Sequence, residues 1–531
     1  MSQTAYDYIV IGAGSAGCVL AGQLALGKAG SVLLLEAGDR AEQHPESLRA
    51  DGFKYAFSND ALMWHRMSER QSACGERPLY IGSGRGMGGS GSVNGMVYTR
   101  GDRNDFERWP QGWQWDDLVP AFAAVEHKLG IQPRTPTPFA QRFIDAVVQS
   151  GFKRKDGLND GQLGGYVGCN DMNYQGDDRR SSYRAWLHQQ QLPGLTIETG
   201  AAVQRVVFDA QKKAVAVEYL RDGRVQRANI GREVIFSAGA LETPKLLMLS
   251  GIGPQQELQA HGIAVVHAAE GVGKNLQDHP NVCVFYRAKQ DVDFSYPQLY
   301  GFDAARQPPE QQASAAPDTC YVCYAVPSSI KESMMRMLPI LALPGFLYRL
   351  GFLRSLLRGL ISLHFMLPPL KAFVSKLFGV VVILGKPTSR GTVGLASADP
   401  NAPAKVDLAY FSTEADRETM EAAIGKVRLM TSQAALAGAR PLSAGGKSIS
   451  GKKLWSWISG ATMTTFHYCG SCRMGESAHD PVDVRLRVRG LNNVRVADAS
   501  VVPEIPVSAL NAPSMMIGYR AAQLILEDNH A

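Results

Sequence analysis

The stretch YDYIVIGAGSAGCVLAGQLA, residues 6–25, constrains this 531-residue chain more than any other. An apolar run, Tyr8 to Ile11, ends in Gly12, Gly14 and Gly17, and an Ala/Leu-rich helical pattern follows at once. Strand, tight turn and helix in that order open a dinucleotide-binding unit. Gly12 permits the turn and Gly14 lets the backbone approach a pyrophosphate. Gly17 lets the helix pack on the strand, with Ser15 at the helix start facing the same negative charge. The next strand-like run, SVLLLEAGD, carries Glu36, nineteen residues beyond Gly17, followed by Ala37. A carboxylate there accepts hydrogen bonds from ribose hydroxyls and repels a 2′-phosphate. The pattern asks for a dinucleotide without choosing between NAD and FAD.

The length calls for two domains, or one nucleotide-binding domain interleaved with a second. A hydrophobic fraction of 45% and a charged fraction of 20% are those of a globular chain. The net charge of +6 is small, and no basic run is interleaved with stacking aromatics, so nucleic acid is not an expected partner. The opening MSQTAYDYIVIG has no charged n-region or cleavage site, from which a cytoplasmic location is expected. Cys320/Cys323 and Cys469/Cys472 form two CxxC pairs about 150 residues apart, a poor match to a zinc module. Buried, reduced thiols and no metal site are the expectation.

Further motifs make the choice of nucleotide. RGMGGSGSVNGMVYTRG (85–101), GALETPKLLMLSGIG (239–253), GVGKNLQDH (271–279), FHYCGSCRMG (466–475) and the closing LNNVRVADASVVPEIPVSALNAPSMMIGYRAA together resemble the glucose-methanol-choline oxidoreductases. The resemblance runs from residue 6 to about 526, and is nearest to the bacterial alcohol and choline dehydrogenase branch. It implies FAD and a mixed α/β fold, with a Rossmann-type FAD-binding domain interleaved with a substrate domain of antiparallel sheet and helices. On that basis residues 1–160 form the first part of the FAD-binding domain, and 161–285 belong mostly to it. Residues 286–465 form the substrate domain, with a hydrophobic insertion at about 331–374, and 466–531 return to the FAD-binding domain.

By resemblance, Arg85, Met87, Gly88, Gly89, Asn94, Gly95, Met96 and Val97 lie along the flavin, and Val203 lies beside the adenine. Ala238, Asp498, Ala499, Asn511, Ala512 and Pro513 complete the cofactor set; read alone, Asp498 is equally a helix cap. Gly91 stands where serine is common. Val93 stands where some members carry a histidine that bonds the flavin covalently, so the FAD here is expected to be non-covalent.

Alcohol oxidation needs a group to take the hydroxyl proton while hydride leaves for the flavin, and histidine suits that task. His467 matches the family's catalytic histidine and Asn511 its polar partner. His279 reads as structural or close to FAD; His65, His364 and His479 have no support beyond their side chains. A hydrolase centred on Ser90 or Ser92 lacks the GxSxG elbow.

Relatives carry a longer lid segment after about residue 288, so the carboxylate that holds a quaternary ammonium there has no counterpart to transfer, and choline is not the expected substrate. Instead, about forty extra residues appear after Ser329. Their longest uncharged runs are twelve residues, short of the ~20 of a spanning helix. The prolines at 339, 344, 368 and 369 are expected to break the segment further. Seven basic residues (Lys331, Arg336, Arg349, Arg354, Arg358, Lys371, Lys376) face one acidic residue, Glu332. On a helix over about 346–364, Phe346, Leu350, Leu353, Leu357 and Leu360 form an apolar stripe beside a charged arc, as in an interfacial helix on anionic lipid. Packing against protein is the alternative.

The sequence therefore reads as an FAD-dependent enzyme oxidising a primary, lipophilic alcohol to the aldehyde, with quinone or O₂ as acceptor, peripheral on the inner face of the cytoplasmic membrane through 334–374. Oxidases using O₂, fatty-acid photodecarboxylases and hydroxynitrile lyases share the family, and a non-catalytic membrane scaffold is the reading from another class. With valine at 93, acid precipitation of the purified protein is expected to leave the yellow chromophore in the supernatant; flavin retained in the pellet would show a covalent bond.

Overall fold

An uninterrupted apolar run must be covered on both faces, and the strand Ala5–Ile11 accordingly lies inside a parallel sheet. The computed structural model describes residues 5–296, 299–308, 311, 315–343, 345–348 and 350–530, without the side chains of 345, 346 and 530. The first sheet runs in the order Leu195–Glu198, Val32–Leu35, Ala5–Ile11, Arg224–Phe236. The last strand serves two partners. Its second half pairs in parallel with Ala5–Ile11, while its first half pairs antiparallel with Ala214–Arg221, which in turn pairs with Ala202–Phe208. Val494–Val496 joins beside Val234–Phe236. The helix Ser15–Leu26 is apolar nearly all round and buried, packed between this sheet and the helix Asn511–His530.

The second sheet runs Arg440–Pro441, Pro280–Arg287, Leu377–Leu384, Thr319–Tyr324, Leu299–Asp303, Tyr166–Cys169 and is antiparallel throughout these pairs. Its inward residues, among them Val282, Val284, Val380 and Val382, share a core with Phe139 and Phe143 of the helix Pro138–Gln149 and Ile424 and Val427 of the helix Glu414–Thr431. The architecture is mixed α/β, as expected. Cys320, Cys323 and the pair Cys469/Cys472 fall in three different cores.

The insertion leaves this sheet between the adjacent strands Thr319–Tyr324 and Leu377–Leu384. It forms the helices Val326–Ala342, Gly345–Tyr348, Gly351–His364 and Pro368–Val374. Among the described residues no helix is long and apolar enough to cross a membrane. Contrary to expectation, Pro339 does not end the first helix. It removes the N–H that would bond the Met335 carbonyl, and that carbonyl instead accepts from Arg358 Nε at 3.2 Å. The single helix expected over 346–364 is divided, with Leu350 capping the second piece. Arg349 and the side chain of Phe346 lie outside the described residues.

The arginines depart most from the sequence expectation, because they turn inward. Arg336, Arg354 and Arg358 converge on Asp60 at 2.8, 3.3 and 2.9 Å, and Arg336, fully buried, also donates to the carbonyls of Phe57 and Asn59. A guanidinium has five donors in a fixed fork, and a carboxylate flanked by carbonyls satisfies them better than water at an apolar surface. Leu353 and Leu357 are half-buried with the arginines. The outward face is apolar: Phe352 (68% exposed), Leu356, Leu360, Leu363 (61%), Met366 (75%) and Leu367.

Burial pushes the Asp60 pKa up, but the hydrogen bond from Arg358 and the charges of Arg336, Arg358 and Arg354 outweigh it and hold the carboxyl below its usual value. The latch is therefore fully formed above the unfolded Asp pKa of about 3.9 and weakens as pH falls through the lower folded value. Asp60→Ala should speed amide hydrogen exchange across 326–376 at neutral pH; exchange no faster than in the wild type would mean that Asp60 fastens nothing.

Candidate active site

The glycine-rich turn has the close approaches that its residues imply. Gly12 has φ +102°, and a Cβ on Gly17 would lie 1.9 Å from the Gly12 carbonyl oxygen, so only glycine lets the helix start where it does. Gly14, the N-cap, offers no side-chain oxygen, which leaves the first-turn N–H groups open. Glu36 is buried and ties three loops together: Oε2 accepts from the Ala13 N–H at 2.9 Å, and Oε1 from those of Gly38 (2.8 Å) and Gly86 (3.0 Å). Burial raises its pKa against the pull of those amides and of Arg85. A carboxylate offers about four lone-pair sites, so one is left for a ligand.

A cavity of about 1050 Å³ opens beside this turn. Of the residues read from sequence, Gly12, Gly14, Ser15, Glu36, Ala37, Arg85, Gly89, Asn94, Gly95, Met96, Val97, Val203, Ala238, Asp498, Ala499, Asn511 and His467 line it. Gly17, Met87, Gly88, Ala512 and Pro513 do not; they stand behind the wall. Gly88, at φ +84°, docks its loop by donating from N–H to the Ala13 carbonyl at 2.7 Å, while Met87 and Ala512 are core residues. Asp498 accepts from the Gly239 N–H (2.8 Å) and Thr243 Oγ1 (2.6 Å), and its Oδ1 caps the turn Ala499–Val501 through the Ser500 N–H. It is thus a cap and a loop clamp at once.

The open helix start, the exposed glycine backbone and the spare lone pair on Glu36 fit a dinucleotide. Ser15 Oγ donates to Asn511 Oδ1 at 2.7 Å, and Asn511 Nδ2 is buried with no acceptor. A Cβ on Gly91 would lie 2.7 Å from that Ser15 oxygen and 3.1 Å from Asn511 Oδ1, so glycine in the place of serine matches the Ser15–Asn511 contact. Val93 is buried in an apolar cluster with Ala56, Leu62 and Met63.

Sequence reading missed Arg179. Fully buried, it donates to the carbonyls of Gly91 and Asn94 and to Asn94 Oδ1, at 3.0, 2.7 and 2.8 Å, and so holds the loop that carries Asn94. Burial lowers its pKa to about 9. Asn94 Oδ1 also accepts from the Met96 N–H, which leaves only the amide nitrogen of Asn94 for the cavity.

At the other end of the cavity, two distant segments meet. The strand Pro280–Arg287 pairs with Met463–Thr464, which brings His279 Nδ1 to 3.0 Å from His467 Nδ1, with the rings nearly perpendicular at 89°. Asp278, a second residue missed, is buried and accepts from the His467 N–H (2.8 Å), from Thr464 Oγ1 (2.5 Å) and from the Tyr410 hydroxyl; burial raises its pKa to about 6. The residue before His467, Phe466, has φ +62°, a strained conformation for an aromatic residue.

Two facing ring nitrogens at 3.0 Å must share one proton. The other nitrogen of His279, Nε2, has no close hydrogen bond, but the carbonyls of Gly385 and Pro506 lie beside it and favour a proton there. His279 Nδ1 is then bare and accepts from His467 Nδ1–H, and His467 Nε2 keeps its lone pair. The exposed part of the His467 ring faces the cavity, and burial lowers its pKa to about 4. Phe57, Trp64, His65, Tyr324 and Phe466 line this end, where the insertion adds Ser328, Ser329, Glu332 and Ser333. His65, given no role from sequence, stacks on Tyr348 at 4.2 Å.

Comparison with known proteins agrees with this construction. The GMC oxidoreductase family matches residues 6–281 and, through its C-terminal part, 387–518. An oxygen-dependent choline dehydrogenase of Photobacterium profundum is 32% identical, over 98% of this chain and 93% of its own. An alcohol dehydrogenase [acceptor] of Pseudomonas putida is also 32% identical, over 98% and 96%. Among solved structures, pyridoxine 4-oxidase from Mesorbium loti superposes with a TM-score of 0.83 at 27% identity, covering 97% of this chain and 98% of the other. Formate oxidase, at 23% identity and a TM-score of 0.82 over 99% of both chains, shares the fold. The glycine turn, the Glu36 clasp, the loop held by Arg179 and the full-length matches make this chain a member of the GMC oxidoreductase family, a flavin oxidoreductase whose cofactor is FAD.

Proposed function

We propose that the protein oxidises a primary, lipophilic alcohol to the aldehyde, with His467 as the base that takes the hydroxyl proton and with quinone or O₂ as the final electron acceptor. The observation that carries this reading is the His279–His467 pair, which leaves a neutral imidazole with a free lone pair at the wall of an aromatic-lined cavity. Bound FAD supplies the acceptor for the hydride that leaves the carbinol carbon. His279 holds the His467 tautomer, and Asp278 holds the backbone that carries it. Of the two roles read for Asn511, its contact with Ser15 favours the cofactor side over the substrate oxygen. Gly12, Gly14, Ser15, Glu36, Arg85 and Asn94 would hold the FAD.

The apolar outer face of the insertion supports peripheral docking on the cytoplasmic membrane. Because Arg336, Arg354 and Arg358 are engaged by Asp60, this docking rests on Phe352, Leu356, Leu363 and Met366 more than on charge.

Anaerobic mixing of the holoenzyme with alcohols from ethanol to dodecanol, and with choline, should bleach the flavin faster as the chain lengthens; no bleaching by any alcohol sinks the reading. His467→Ala should slow that step by about 10² to 10⁴. A base with a pKa near 4 is neutral above that pH, so the reduction rate should hold through pH 6 and fall only toward pH 4. A fall centred near 6.5 would contradict the buried, neutral imidazole. In sedimentation with lipid vesicles, Phe352→Ser/Leu356→Ser/Leu363→Ser should remain in the supernatant while the wild type pellets; equal partition would remove the membrane contact.

A further inference from the structure

The insertion is apolar outside and polar inside. Ser328, Ser329, Glu332 and Ser333 lie at i, i+1, i+4 and i+5, one face of the helix Val326–Ala342, and that face lines the cavity that also holds His467. Six carboxylates line this cavity among the described residues. Five have partners: Glu36 and Asp498 accept from backbone amides, Asp39 faces His44, Glu242 pairs with Arg66 and Lys245, and Asp222 lies near Arg221. Glu332 is different. It is 7% exposed and, among the described residues, makes no hydrogen bond or ion pair.

The helix itself offers Glu332 a cation one turn on, at the i+4 spacing where Glu and Arg ordinarily pair. That cation is Arg336, and its guanidinium is held instead by Asp60 and by the carbonyls of Phe57 and Asn59. The Tyr324 hydroxyl at the end of the neighbouring strand is also engaged, since it and Ser329 face each other at 2.5 Å. Burial first, and the Glu332 charge among lesser causes, disfavour ionisation of Tyr324. A carboxylate this deep needs a donor, and none of the described residues provides one. The remaining source is whatever occupies the cavity. Aromatic rings at Phe57, Trp64, His65 and Phe466 line the same space and suit an apolar linker.

We propose that Glu332 recognises the substrate by accepting a hydrogen bond from a second donor, a hydroxyl or an ammonium, on the alcohol whose carbinol reaches His467. The preferred substrates are then bifunctional, diols or amino alcohols with an apolar stretch between the two groups, in place of plain alkanols. This rests on the alcohol-oxidising reading and narrows its substrate class.

The test compares 1-hexanol, 1,6-hexanediol and 6-amino-1-hexanol with the holoenzyme, by anaerobic flavin reduction. In the wild type the diol or the amino alcohol should exceed hexanol in kcat/KM by about tenfold or more, as for a hydrogen bond to a charged group. In Glu332→Leu that ratio should fall to about one, with KM carrying most of the change. Glu332→Gln keeps an acceptor without the charge, so it should retain a preference for the diol and lose one for the amino alcohol. A wild-type ratio near one, or a ratio that Glu332→Leu leaves unchanged, overturns the proposal. If no alcohol reduces the flavin, the alcohol reading fails on its own, and thermal shifts with the same compounds decide the remainder. A bifunctional compound should then stabilise the wild type more than Glu332→Leu, and equal shifts refute the role of Glu332.

Discussion

Everything on the cofactor side depends on one buried carboxylate. Glu36 accepts from the amides of Ala13, Gly38 and Gly86 and so fastens three loops at a single side chain. The approach is possible only because the backbone is bare: the Cβ of any other residue at 38 would meet the amide of Gly86 at 2.3 Å, and at 17 the carbonyl of Gly12. The glycines and the carboxylate are one device, with the glycines removing bulk and Glu36 supplying the attraction. Its burial raises the cost of ionisation, and the three amides offset only part of that cost.

The chemistry end is organised by strand pairing. Asp278 and His279 precede the strand Pro280–Arg287, and the neighbouring strand Met463–Thr464 runs directly into His467. Register brings the two segments together so that the facing Nδ1 atoms lie at 3.0 Å, and a bridge between Gln277 and Cys469 continues the pairing on the far side. A proton shared between facing nitrogens couples the tautomers of both rings, so the lone pair at the cavity is set by what surrounds His279. The positive φ at Phe466 belongs to the same arrangement, because the chain must turn sharply out of the strand to present His467.

What could be read from sequence follows from this physics. The turn at Gly12, Gly14 and Gly17 and the acidic residue at 36 were legible because backbone geometry demands those residue types at fixed spacing. His467 was legible through its motif, but its partnership with His279 was not, since 188 residues separate them and register is a tertiary property. Arg179 gave no signal, because an arginine in DDRRSSYR reads as surface until a loop 85 residues away closes over it. For the insertion, the helical period was legible and the inward face was not. Asp60, which decides it, lies 276 residues from Arg336.

That tertiary decision has a consequence on each side of the insertion. Charged side chains normally face solvent and leucines the core; here Asp60 draws three guanidiniums inward, and Phe352, Leu356 and Leu363 are left outside. On the inner side, Arg336 has one guanidinium for two carboxylates. While Asp60 and two carbonyls hold it, Glu332 at i−4 is left without that partner and faces the cavity. The fastening of the roof and the polarity of its ceiling are thus linked by the spacing of one helix. A helix that let Arg336 swing back to Glu332 would lose its anchor to residues 57–60 and neutralise the only unpartnered carboxylate among the described residues that line the cavity.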